Sequence, residues 1–83
     1  MTELTSLRNI GKAMEKRLKA VDITTAEQLR EIGSKEAFFR LKSQDPSVCS
    51  VFLYTLEGAI SDTEYNRLPE DVRRELRDFS DSL

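Results

Sequence analysis

Apolar residues at Leu7, Ile10, Met14, Leu18 and Val21 recur every three or four positions, a spacing that predicts one helical stripe. Asn9-Ile10-Gly11 interrupts that stripe near its start. Asparagine and glycine are the residues that most readily accept positive φ, so the interruption predicts a tight hairpin between two helices rather than one continuous rod. The first arm is short, buries Leu4 and Leu7, and has Thr2 or Thr5 to cap it. The second carries Met14, Leu18 and Val21 inward and sets Lys12, Lys16 and Lys19 on roughly the opposite face. Glu15 and Lys19 form an i, i+4 pair in the favourable orientation.

Beyond this hairpin, Ile23 sits in a turn as an apolar plug for the core. Thr25 and Gln28 make a capping box for a helix that buries Leu29 and Ile32 and stops at Gly33. Ser34 caps the next helix, which runs to Lys42 with Ala37, Phe38 and Leu41 on its stripe. Phe39 falls off that stripe, either against another segment or exposed. Asp45 as N-cap and Pro46 as first helical residue then start a long central helix. Val48, Phe52, Leu56 and Ile60 repeat along it, and Val51, Leu53 and Ala59 widen its apolar face. Gly58 within it, which costs ~1 kcal/mol relative to alanine, marks a close helix–helix contact. After the Ser61-Asp62-Thr63 loop, Tyr65 and Leu68 anchor the chain, and Pro69 opens a last helix with Val72, Leu76 and Phe79 inside. No alternation of β-branched residues predicts a strand. The expected fold is all-α: a compact bundle of five or six short helices with an N-terminal helix-hairpin-helix, in one domain spanning 1–83.

Composition narrows the class. At 83 residues, 39% apolar and 34% charged, the chain has room for one core under a heavily charged surface. No apolar run approaches the ~20 residues of a membrane span, and the first residues lack a secretion-signal pattern. With Cys49 as its only cysteine, the chain cannot form an internal disulfide, so a reducing, cytoplasmic setting is expected.

Charge changes the picture more. The net value of −2 hides an asymmetry: five basic residues (Arg8, Lys12, Lys16, Arg17, Lys19) face two acidic ones (Glu3, Glu15) up to Ala20, a local +3, leaving −5 for the remainder. Any anion-binding surface is thereby localised to the first helices. Arg8, Asn9, Ile10, Gly11, Lys12 and Lys16 are the candidate nucleic-acid contacts. Backbone N–H groups around Ile10, Gly11 and Lys12 would hold a phosphate without reading base sequence, helped by Arg8, Lys12 and Lys16. The alternative is a purely structural turn beneath a solvated charged face, and Arg17 fits either account.

Catalysis is disfavoured. There is no histidine for acid–base work or metal ligation, and one cysteine cannot build a thiolate zinc site. No metal, cofactor or small-molecule substrate is expected. Cys49 beside Val48 and Val51 reads as a partly buried, inert thiol. Tyr65 and Phe39 read as core rather than as stacking platforms for bases. In the last helix Arg73, Arg74 and Arg77 are nearly cancelled by Glu70, Asp71, Glu75 and Asp78, the pattern of a solvated face.

Several segments together resemble the C-terminal domain of TfoX, the regulator of DNA-transformation competence. They are Leu7-Arg8-Asn9-Ile10-Gly11-Lys12, Glu15-Lys16-Arg17-Leu18, and Ile23-Thr24-Thr25 with Leu29 and Gly33. Phe38-Phe39-Arg40-Leu41-Lys42, Leu53-Tyr54-Thr55-Leu56-Glu57-Gly58-Ala59-Ile60, and Leu68-Pro69 through Leu76 continue the likeness over nearly the whole chain. The resemblance implies a compact helical bundle with a helix-hairpin-helix and a role in regulating competence or transcription. Such domains often follow an N-terminal TfoX domain, which has no counterpart here, so a free-standing copy is expected. One position departs from the apolar-x-Gly-x-Gly pattern of DNA-binding hairpins: Asn9 replaces the first glycine. Asparagine tolerates the left-handed conformation, so the turn can survive, but its side chain could crowd a phosphate there.

The expected function is a non-catalytic regulatory or interaction module acting on a protein partner or as a homodimer, through exposed apolar residues such as Phe39 or Tyr54. The alternative is weak, sequence-independent DNA binding through the hairpin at residues 8–12.

Overall fold

The structure, a computed structural model, describes residues 2–83. Its five α-helices are α1 (Lys12–Lys19), α2 (Ala26–Ile32), α3 (Ser34–Gln44), α4 (Val51–Ser61) and α5 (Glu70–Asp81). Two single 3₁₀ turns, Leu4–Ser6 and Tyr65–Arg67, precede α1 and α5, and no strand occurs among the described residues. The all-α expectation is met. The radius of gyration, 11.6 Å, matches the ~12 Å of a compactly folded chain this long.

Helix ends explain the topology. At the end of α1, Asp22 takes φ 68° and the Ile23 N–H donates to the Leu18 carbonyl at 2.9 Å. This left-handed closure normally brings together apolar residues at its two ends. Here these are Leu18 and Ile23, both fully buried, so the plug expected at Ile23 is the closing contact of α1. Gly33 turns α2 directly into α3 with φ 88°. Thr25 caps α2 by accepting from the Gln28 N–H at 3.1 Å, while the Gln28 side chain accepts from Thr24 rather than Thr25. The reciprocal half of the capping box is thus displaced by one residue.

The most extensive helix pairing is α3 on α4, with α2 and α1 against α3 and α5 against α4. Phe38, Leu53, Leu56, Leu29, Leu18, Ile23 and Leu4 are its largest fully enclosed side chains. Val72 and Phe79 pack against the core half-buried, and Leu76 is buried.

Several local expectations are corrected. Asp45 does not cap a helix; its Oδ1 accepts from the Ser47 hydroxyl at 2.6 Å and the Ser47 N–H at 3.1 Å. Those bonds, the hydroxyl's first, hold the Asp45 carboxyl below its ordinary range. They close a turn at Pro46-Ser47, so α4 starts only at Val51. Val48 is still buried, from the loop. Ser34 is not a cap but the first residue of α3, which runs on to Gln44; its hydroxyl donates to Glu57 Oε1 at 2.7 Å. Neither Thr2 nor Thr5 caps the first 3₁₀ turn. Cys49 is exposed, and Tyr65, expected in the core, is 43% exposed.

Candidate functional site

The N-terminal segment turns where the sequence places the turn, by different means. The Ile10 N–H donates to the Leu7 carbonyl at 3.3 Å, and Asn9, third residue of this turn, takes φ 71°. Gly11 instead has φ −94° and ψ −177°, extended backbone open to any residue. The bend therefore rests on Asn9 alone. The arm before it is the single 3₁₀ turn Leu4–Ser6, so the two-helix hairpin is replaced by a 3₁₀ turn, a tight turn and one α-helix.

The six candidate contacts separate into three environments. Arg8 sits with its Nε 3.3 Å from Asp62 Oδ1, just beyond the end of α4. Asn9 is half-buried, and its Nδ2 donates to the Thr63 carbonyl at 3.0 Å. Ile10 belongs to the core. Gly11 sits at the N-cap of α1 with no side-chain cap there and open space beside its Cα. Lys12 and Lys16, one turn apart on α1, are exposed and join no ion pair among the described residues. Gly11, Lys12 and Lys16 are thus exposed and unengaged among the described residues, whereas Arg8 is exposed but paired with Asp62. Arg17 has a structural place, 3.4 Å from Asp45 Oδ2 and 5.3 Å over the Phe52 ring.

A second surface lies around Phe39, where α2, α3 and α5 meet. Phe39 and Leu83 are each 47% exposed, and with Ile32, Phe79, Lys35 and Glu36 they line a shallow hollow of about 540 Å³. Phe39 is thus not core. Its exposure follows from register: Ala37, Phe38 and Leu41 take the inner face of α3, leaving Phe39 one position past it. The sequence signals Phe39 but not its neighbours, because Ile32 and Phe79 lie on stripes that read as fully buried and end only half-covered. Lys35 Nζ sits 5.8 Å from the Phe79 ring centroid and pairs with Glu75, bordering the apolar ground with charge.

Known proteins are similar to this chain in sequence and in fold. Protein Sxy from Escherichia coli (strain K12) is 36% identical over 80 residues, covering 96% of this chain and 38% of Sxy, so the chain spans under half the length of that relative. The triclinic-form crystal structure of an uncharacterized protein from Listeria monocytogenes superimposes with a TM-score of 0.94 at 42% identity, covering 98% of this chain and 92% of that one. The tetragonal form of a Listeria monocytogenes protein of unknown function gives a TM-score of 0.93 at 42% identity, over 96% and 98%. The profile described as TfoX C-terminal domain matches residues 1–80, and the chain belongs to that family.

Proposed function

We propose that this chain is a non-catalytic regulatory module of the competence-regulator kind that works by docking another protein on the Phe39 face. The observation that carries this reading is the pairing of Phe39 and Leu83, both 47% exposed, across one apolar hollow. Large aromatics left in water at the centre of such a patch are the usual anchors of protein interfaces. Family membership supports the regulatory part of the reading. The part of Sxy that this chain does not match is a defined protein on which docking can be tried.

The test is a binding titration of the native chain and Phe39→Glu against that remainder of Sxy, beside light scattering of each chain alone. Loss of either association in Phe39→Glu supports the reading. If the native chain neither self-associates nor binds the Sxy remainder, the Phe39 face is not a docking surface for either.

A second reading, weak DNA binding, is favoured by one observation: α1 begins at an uncapped Gly11 with Lys12 and Lys16 exposed beside it. Arg8 and Asn9 are occupied by Asp62 and Thr63, which leaves a smaller surface than the sequence suggests. Phosphate contacts weaken steeply as salt rises, whereas apolar docking does not. Duplex affinity that falls with salt and disappears in Lys12→Glu/Lys16→Glu would establish it.

A further inference from the structure

The charges of α5 that balance in sequence are not paired one to one in the structure. Glu75, counted against the arginines, is turned away to Lys35 on α3. Glu70 reaches only Arg74, at 3.6 Å. Arg73 and Arg77, one turn apart, join no ion pair among the described residues. With Arg74, Glu70 and Tyr54 of α4 they line a hollow of about 290 Å³, separate from the Phe39 face and from the start of α1.

Three guanidinium groups and one carboxylate leave this hollow with two surplus positive charges. Guanidinium presents a rigid fork of N–H donors suited to planar or tetrahedral oxyanions. The Tyr54 hydroxyl, which makes no hydrogen bond among the described residues, is one more donor at the wall. We propose that Tyr54, Arg73, Arg74 and Arg77 form a binding site for a phosphate monoester. Such a group carries about −1.5 to −2 charge near neutral pH and three acceptor oxygens, which matches the surplus and the donor set. A lone carboxylate would leave donors unused. An extended polyanion is disfavoured, because Asp78 and Asp81 bound the same helix beyond Arg77 and would repel the adjoining charges. The group therefore arrives either on a phosphorylated side chain of a protein or as a free phosphate ester.

The experiment is a titration of the native chain, followed by the side-chain Nε–H resonances of its arginines. The probes are a neutral peptide carrying one phosphoserine, the same peptide unphosphorylated, inorganic phosphate, and acetate. The expected result is saturable movement of Arg73 and Arg77 with the phosphorylated probes. Arg73→Gln/Arg77→Gln should weaken binding at least about tenfold, since two charge-assisted donors are lost, while helicity stays unchanged because both side chains are exposed. Tyr54→Phe, which keeps all three guanidinium groups, should weaken it more mildly and serves should the double variant misfold. Tighter binding of the phosphopeptide than of inorganic phosphate identifies a protein-borne group, and equal binding shows that the phosphate group alone is read, as for a free small phosphate. Shifts that do not saturate, acetate competing equally, or unchanged affinity in Arg73→Gln/Arg77→Gln would overturn the site. So would phosphopeptide affinity that is lost in Lys12→Glu/Lys16→Glu.

Discussion

Asn9 Nδ2 donates to the carbonyl oxygen of Thr63 at 3.0 Å, joining residues 54 apart in sequence. The bond passes beside Gly58, where an added Cβ would lie 2.5 Å from Asn9 Nδ2, 3.3 Å from Tyr65 Cα, and against the Thr63 carbonyl oxygen. The same carbonyl segment is fixed from the other side: Asp62 takes φ 55° and the Thr63 N–H donates to the Gly58 carbonyl at 2.8 Å. One glycine thus lets the N-terminal turn and the end of α4 meet, and Arg8 with Asp62 closes the rim.

Gly58→Ala should therefore destabilise the protein by about 1–3 kcal/mol through overpacking, despite the ~1 kcal/mol that alanine gains in a helix. Asn9→Gly keeps the positive φ and loses only the hydrogen bond, about 1 kcal/mol. Asn9→Ala should lose roughly another 1 kcal/mol for the left-handed backbone. In the Asn9→Gly background one of the obstructing atoms is gone, so the Gly58→Ala penalty should shrink by more than about 0.5 kcal/mol. Urea denaturation of the four chains of this cycle measures it; strict additivity would mean that the two sites do not touch.

Phe38 and Phe39 are neighbours with opposite fates, one fully buried and one 47% exposed. Phe38→Ala should cost about 3–5 kcal/mol, whereas Phe39→Glu should change stability by no more than about 0.5 kcal/mol. Thermal unfolding separates the two directly. A large loss in Phe39→Glu would show that the ring supports the fold instead of standing ready for a partner.

Helical periodicity made most of the fold legible, because inner stripes such as Met14–Leu18 and Val72–Leu76 depend only on local spacing. Failures came where two local rules compete. Asp45-Pro46 satisfies the rule for a helix start, yet Ser47 offers Asp45 nearer donors, and the Asx turn that results delays α4. Gly58 was legible as a close approach, but not as an approach by the Asn9 side chain and the loop after α4. That partner lies 49 residues away in number, beyond any window of periodicity. The site residues suffered likewise: Arg8 and Asn9 look free in sequence because Asp62 and Thr63 are remote from them.

Ser34 carries a third prediction. Buried at the start of α3, its hydroxyl donates to Glu57 Oε1 at 2.7 Å. Ser34→Ala strips a half-buried carboxylate of that donor and should cost about 1–3 kcal/mol. Glu57→Gln keeps an acceptor oxygen opposite the hydroxyl, so its cost should be smaller. Chemical denaturation of both variants checks the order, and equal losses would place the effect outside this hydrogen bond.

Acid should also loosen the contact between the N-terminal segment and the start of α2. The Thr2 N–H donates to Glu27 Oε1 at 2.9 Å, and the Thr2 carbonyl accepts from the Ala26 N–H at 2.9 Å, tying the N-terminal segment to the start of α2. The Thr2 backbone bond, then the Thr2 side chain, hold the Glu27 carboxyl at about 2, down from its ordinary 4.5. A carboxyl whose folded pKa is depressed contributes stability that is fully present above its unfolded value and is lost as pH falls through the folded one. The tie should therefore persist above pH 4.5 and loosen progressively toward pH 2. Glu27→Gln should be destabilised relative to the native chain at neutral pH, and that difference should narrow across this window. The carbon-13 shift of the Glu27 carboxyl gives the direct reading: a midpoint near 2 upholds the tie, and a midpoint at the ordinary 4.5 shows that Thr2 does not hold it.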